Sequence, residues 1–269
     1  IYGCRSNAIA CEPFGKRGGH MAELAGNAEC VLTEVESGWL KLFTGVVVGQ
    51  ACNYEIIRTL NHMICHYACA SHVIQSGKPA LSILEIADVS GFSRSFVTSY
   101  TRKLVEIGVL ERLDADGGFR YASRERWHDL HFGFRKEVTQ LTKAEGFHFG
   151  QPAFFAMMLD ALRGVKENTL FPRASMKQVA IMLLVVEHAL LFVGGIRYRD
   201  IENRLHLSNA DVHSIVMQLV ETERYFTQRD PDDRRCQIIF PRSTVLDVVT
   251  QTNREFCETW AAELTMKSA

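Results

Sequence analysis

Leu81-Ser-Ile-Leu-Glu-Ile-Ala-Asp-Val-Ser-Gly-Phe-Ser93 is the stretch on which the fold turns. It reads as a short helix with an apolar side, a tight turn at Gly91 where a left-handed backbone is needed, and a serine placed to cap a second helix. In that second helix Phe96, Val97, Tyr100, Leu104 and Ile107 recur at helical spacing and form one face. Arg94, Ser95, Thr98, Ser99, Arg102 and Lys103 are left on the other, which is polar and cationic. Gly108 ends the helix, and Val109 to Leu113 and Phe119 to Ala122 read as two short strands around the turn Asp114-Ala-Asp-Gly-Gly118. Helix, turn, helix and hairpin in this order predict a winged helix. Upstream, a helix over about Ala51 to Gln75 is stopped by Gly77, Lys78 and Pro79.

The same pattern returns about 115 residues later without a gap through the turn. Ile201 takes the place of Ile86, Leu207 of Phe92, Ser208 of Ser93, Val212 of Val97, Ile215 of Tyr100 and Leu219 of Leu104. Arg224 to Arg229 and Arg235 to Phe240 then flank the turn Asp230-Pro-Asp-Asp233 as a second hairpin. Helical patterns at about Arg124 to Ala144, Gln151 to Gly164, Ser175 to Phe192 and Arg242 to Met266 join or flank the two units. The predicted class is mainly α with small β wings, as tandem winged helix-turn-helix domains joined and flanked by long helices. The first domain is expected over 21–148 and the second over 149–269. Residues 1–20 are expected to be a tag or a disordered N-terminus, because Gly19-His20-Met21 looks like a cloning or start-site junction.

The stretch Arg229-Asp-Pro-Asp-Asp-Arg-Arg-Cys-Gln-Ile-Ile-Phe-Pro241, between a helix-turn-helix and a long helix, resembles the wing of the multiple-antibiotic-resistance regulator (MarR) family. The resemblance extends over roughly 175–266, whereas 81–122 resembles winged-helix regulators in general and lacks the arginine-rich tip. It implies a transcriptional regulator, repressor-like, that binds double-stranded DNA. It also implies that an aspartate at the wing, Asp232 or Asp233, braces an arginine, Arg234 or Arg235, that enters the minor groove. Family members form homodimers through their terminal helices to present two reading heads and bind small-molecule effectors. This chain departs from that plan by carrying two heads itself.

The residue types fit DNA chemistry. Side chains on the first turns of a helix in the major groove reach base edges, where arginine can donate two hydrogen bonds to guanine and serine or threonine can donate or accept. Arg94, Ser95, Thr98 and Ser99 stand at such positions behind Ser93, while Arg102 and Lys103 suit phosphates. In the second unit the corresponding candidates are Ser208, Asn209, His213, Ser214 and Gln218, with Arg229, Arg234 and Arg235 on the wing. The two copies differ in charge. Ser208 to Glu223 holds Asp211, Glu221 and Glu223 with no lysine or arginine, and the first wing carries Asp114 and Asp116 where the second carries arginines. A division of labour follows, with base reading by the first helix and minor-groove anchoring by the second wing. The alternative is that one unit has become a scaffold.

Two constellations inside helices invite a ligand. His62, Cys65, His66 and Cys69 recur at i, i+3, i+4 and i+7, and imidazole with thiolate suits zinc or another soft to borderline metal. Ligands on one straight helix do not close a tetrahedron, so packing by small, semi-polar residues is the preferred reading, with no metal and no cofactor. Glu187 and His188, inside an apolar helix, read either as the lining of an effector pocket or as a hydrogen-bonded pair in a core, the latter being favoured.

Composition bounds the rest. With 269 residues, 47% of them hydrophobic and 23% charged, the chain can fill two cores, and a net charge of -1 makes any attraction for nucleic acid local. The apolar run from Val179 is interrupted by Glu187 and His188 well short of a membrane span, the first twenty residues have no signal-like apolar region, and the eight cysteines form no CxxC pair. A cytoplasmic protein with reduced thiols and no membrane partner is expected. No phosphate loop, HExxH or Gly-x-Ser-x-Gly elbow is present, so an enzyme is not expected. The competing readings are a plasmid-type replication initiator with tandem winged helices and a winged-helix protein-interaction module.

Overall fold

The computed structural model describes residues 32–52, 57–115, 118–123, 142, 145–147, 149–168, 174–192, 194–231 and 233–264. It is mainly helical with small antiparallel three-stranded sheets. In chain order the elements are α1 (Glu34–Cys52), α2 (Leu60–Ser76), β1 (Ala80–Ser82), α3 (Ile83–Ser90), α4 (Arg94–Glu106), β2 (Leu110–Ala115), β3 (Gly118–Ser123) and α5 (Gln151–Asn168). They continue with α6 (Met176–Phe192), β4 (Ile196–Arg197), α7 (Tyr198–Leu205), α8 (Asn209–Glu221), β5 (Tyr225–Arg229), β6 (Gln237–Pro241) and α9 (Ser243–Thr259). None of the described helices is long and apolar enough to cross a membrane.

The internal repeat is present element by element. Moved by 115 residues, α3 falls on α7 and α4 on α8 at both ends, and the left-handed residue closing the first helix is Gly91 in one copy and His206 in the other. A second left-handed position follows the second helix, Gly108 in one copy and Glu223 in the other. The sheets share an order, β1-β3-β2 and β4-β6-β5, so in each a short leading strand adds to the outer side of a hairpin. Leu110 pairs with Ser123 but Tyr225 pairs with Pro241, which makes the second hairpin three residues longer.

Several expectations shift. The helix expected from Ala51 to Gln75 is divided between two helices: α1 ends at Cys52, and α2 begins at Leu60 after Thr59, whose backbone is extended. Thr59 bridges to Ser175, the Leu60 amide donates to the Ala174 carbonyl, and the Met176 amide donates to the Arg58 carbonyl. The Thr59 hydroxyl then caps α2 by accepting from the His62 amide. The short strands β1 and β4 were not expected; Leu81 belongs to β1, and Ser82 rather than Leu81 opens α3, through a capping box with Glu85. Ile107, expected on the buried face of its helix, lies beyond the end of α4 and is exposed. The helix expected to run to Met266 ends at Thr259. The one expected over Arg124 to Ala144 lies almost wholly outside the described residues, as do residues 1–20.

Two hydrophobic cores result. The larger draws Trp39, Leu42, Val46 and Tyr67 from α1 and α2, Met157 and Leu162 from α5, and Ile181 and Leu184 from α6. It also takes in the whole inner face of the second unit, Ile201, Leu205, Val212, Val216, Leu219 and Ile239. The smaller contains Cys65, Leu81, Ile86, Val97, Tyr100, Leu104 and Val109 and lies beneath the first unit alone. At the start of β4 the backbone of Gly195 is pressed against β6, where an added Cβ would meet Ile238 Cγ2 at 2.5 Å and the Ile239 carbonyl oxygen at 2.6 Å. Only glycine fits there.

Candidate nucleic-acid interface

Helix α4 is presented from the side. Ser93 caps it by accepting from the Phe96 amide at 3.3 Å, and Val97, Tyr100, Thr101 and Leu104 turn inward. That orientation leaves Arg94, Ser95, Thr98, Ser99 and Arg102 exposed and Lys103 half-buried, on one continuous face. Ser93 and Ser95 are 3.1 Å apart through their hydroxyls, so part of the serine hydrogen-bonding capacity is used locally. Phe96 is half-buried, stacked against the His62 ring at 5.4 Å and tilted against the Phe92 ring at 4.7 Å.

Cations that the sequence pattern did not single out border this face. Arg163 of α5 donates to the Val89 carbonyl, and Lys166 lies 4.5 Å above the Phe92 ring, both beside the turn between α3 and α4. On the first hairpin Arg112 stacks over Phe119 at 4.1 Å; Phe119 is 48% exposed and its neighbour Leu113 39%. A basic side chain on an aromatic ring at a hairpin tip carries no helical or alternating period, and only the fold brings it out.

Helix α8 has the same backbone frame and different chemistry. Ser208 caps it by accepting from the Asp211 amide at 3.1 Å, and Val212, Val216 and Leu219 are buried. Asn209, His213, Ser214 and Gln218 are exposed, yet three of them are engaged with protein. Asn209 donates to the Glu202 carboxylate at 2.6 Å, the Gln178 amide donates to the Gln218 carbonyl at 2.7 Å, and His213 meets the Tyr198 ring edge-on.

The second hairpin is an organised structure. Asp230, 1% exposed, forms an ion pair with Arg197 Nε of β4 at 2.6 Å, which ties the leading strand to the base of the tip. The Asp230 amide donates to the Cys236 carbonyl, and the Cys236 amide donates to the Asp233 carbonyl. The Asp233 carboxylate accepts from the Arg235 amide at 3.0 Å and from the Cys236 thiol at 3.3 Å, and these two bonds in that order hold it below the usual carboxylate range. The brace expected from Asp233 to an arginine side chain is therefore a brace to backbone. The aspartate paired with a guanidinium is Asp230, with Arg197; Asp232 lies outside the described residues. Arg229, Arg234 and Arg235 are exposed around the tip.

The two helix-interior constellations resolve differently from each other. Glu187 is 6% exposed, and burial pushes its carboxyl up to about 7 against the opposing pull of Arg204 and Lys41. Arg204 Nη1 of α7 stands 3.8 Å away, too far for a hydrogen bond to offset that desolvation. The partner of Glu187 is thus Arg204 rather than His188, whose ring packs on Phe192 at 5.1 Å and whose basicity is lowered by burial. On α2, His62 stacks on Tyr100 and shares a hydrogen bond with Thr59, while His66 lies edge-on to Tyr67. Among the described residues no group of three or more His, Cys, Asp or Glu is arranged to hold a metal.

No protein-family model matches the chain, and no curated protein matches it in sequence.

Proposed function

We propose that the chain is a sequence-specific, double-stranded DNA-binding transcriptional regulator, built from two winged helix-turn-helix units in tandem and similar in its second unit to the MarR family. The observation that carries this reading is the exposed face of α4, with Arg94, Ser95, Thr98, Ser99 and Arg102 projecting from a capped helix whose other side is fixed in a core. A face of this kind, short polar side chains flanked by arginines, is what a major groove accepts. The second unit contributes an arginine-tipped hairpin pinned by the Asp230–Arg197 pair, which suits the phosphate backbone and the minor groove. A small-molecule effector and dimerisation through terminal helices, which the family resemblance implies, are secondary parts of the proposal. Helices α1 and α9 pack on each other within one chain, with Trp39 stacked on Phe256 at 4.6 Å and Asn253 donating to the Glu36 carbonyl.

The test is a mobility-shift titration against genomic fragments at low and moderate salt. A subset of fragments should shift at concentrations well below the rest, and affinity should fall steeply as salt rises, because local arginine clusters release counterions whatever the net charge. Uniform or salt-independent binding, or none, would sink the proposal. For the second unit, the tied amides of Asn209 and Gln218 favour a protein-facing or scaffolding α8, and a footprint confined to one short site would establish that reading.

A further inference from the structure

The four-residue pattern on α2 separates in three dimensions. His62 turns to Tyr100 and Thr59, His66 turns to Tyr67, and Cys65 and Cys69 remain together. They stand one helical turn apart on α2 and pack in the same small core, and neither is in a disulfide. Cys65 is part of the small core with Leu81, Ile86, Val97 and Leu104, while Cys69 is half-buried and packs against that core. Tyr100 of α4 belongs to the same core, and its hydroxyl is buried without a hydrogen-bond partner among the described residues. The residue is only 5% exposed, so that hydroxyl is a donor held in the same apolar core as the two sulfurs. An orphaned donor in such a place is costly unless something arrives to accept from it.

We propose that Cys65 and Cys69 form a two-thiolate site for a soft monovalent cation of the Cu(I) class, with the Tyr100 hydroxyl donating to one of the coordinated sulfurs. Three arguments select this ligand. A disulfide fits poorly, since side chains four apart on a helix hold their Cβ atoms about 5–6 Å apart and a disulfide needs about 3.5–4.5 Å. An ion between the sulfurs spans the longer gap without unwinding α2. Zinc would need a nearly complete tetrahedron, and no third ligand is arranged for it among the described residues. Soft thiolates with few other donors select Cu(I). On binding, two S–H bonds break, two S–Cu bonds form and two protons leave to the buffer; no electron changes hands. The site does not depend on the DNA-binding reading, although Tyr100 lies on the helix that carries it.

The test uses the full chain, reduced and kept anaerobic, titrated with Cu(I) in competition with a chromophoric Cu(I) chelator. One equivalent should bind with near-ultraviolet thiolate-to-copper absorption, and that equivalent should be lost in Cys65→Ala and Cys69→Ala but kept in Cys236→Ala. Tyr100→Phe should keep the stoichiometry and weaken affinity about tenfold, the size expected for losing an outer hydrogen bond to a ligand. A measurement that needs no variant accompanies these: bound Cu(I) should protect Cys65 and Cys69 from alkylation, read by peptide mapping. Retention of the equivalent in the Cys65→Ala/Cys69→Ala double variant, or alkylation of both thiols at saturating Cu(I), would overturn the proposal.

Discussion

At the scale of single residues, the two copies of the repeat solve the same backbone problem with unequal means. Gly91 and Gly108 take up left-handed conformations in the first unit at little steric cost, whereas His206 (φ 51°) and Glu223 (φ 60°) do so in the second with a Cβ in the way. Glu223→Gly is therefore expected to stabilise the protein by about 0.5–1 kcal/mol, the left-handed strain relieved less the extra chain entropy of glycine. A thermal or denaturant melt reads it, and a fall in midpoint would contradict the account. Gly195→Ala should act in the opposite sense, because a methyl group 2.6 Å from a carbonyl oxygen forces β4 away from β6. A loss of roughly 1–3 kcal/mol is expected, as for overpacking elsewhere, and the same melt measures it. These positions also show what was legible. Glycine marked both turns of the first unit, so its helix boundaries could be read directly. The second unit carries no such punctuation and became visible only through register with the first.

Helices and strands show where legibility ended. Helices α4 and α8 have one apolar side, and the spacing of their buried residues announces them. Helix α1 buries Gly38, Leu42 and Thr44 as well as the stripe of Glu36, Trp39, Leu40, Phe43, Val46 and Val47, so burial extends around much of its circumference, no polar face sets the stripe off, and its existence was missed. The strands β1 and β4 are too short to alternate and exist because a hairpin edge is there to receive them. For the site, sequence spacing located the exposed face of α4 but not the bonds that tie Asn209 and Gln218, since Glu202 and Gln178 lie on other helices. The contrast between the elements can be measured. Arg94→Ala should cost about 1–3 kcal/mol on a preferred DNA site and relax preference at one position. Replacing Arg234 and Arg235 by alanine should weaken binding to all sequences alike and reduce the salt slope by about one unit per lost phosphate contact. Loss of specificity from the hairpin variant with none from Arg94→Ala would reverse the assigned roles.

For the molecule as a whole, Glu187 couples the long helices to the second unit through Arg204 and makes stability depend on pH. Its carboxyl is raised in the folded state to about 7, so between the ordinary glutamate value and about 7 the folded chain holds a proton that the unfolded chain has released. Stability should fall as pH rises through that window and level off above it, by an amount on the order of 3 kcal/mol. Glu187→Gln should flatten the profile and be the more stable protein at pH 8, which denaturant melts across pH 5–8 would register. An unchanged slope would mean that the carboxylate finds compensation on ionising.

The separation of the two cores gives the molecule two thresholds. The first unit stands on seven buried side chains of its own, while the second is continuous with the main helical body. Amides of α3 and α4 should therefore exchange with deuterated solvent through a sub-global opening, and those of α7 and α8 only when the whole body unfolds. Heating would then silence the face bearing Arg94 while most of the helical circular dichroism persists, so that one end of the chain behaves as a fuse for the other.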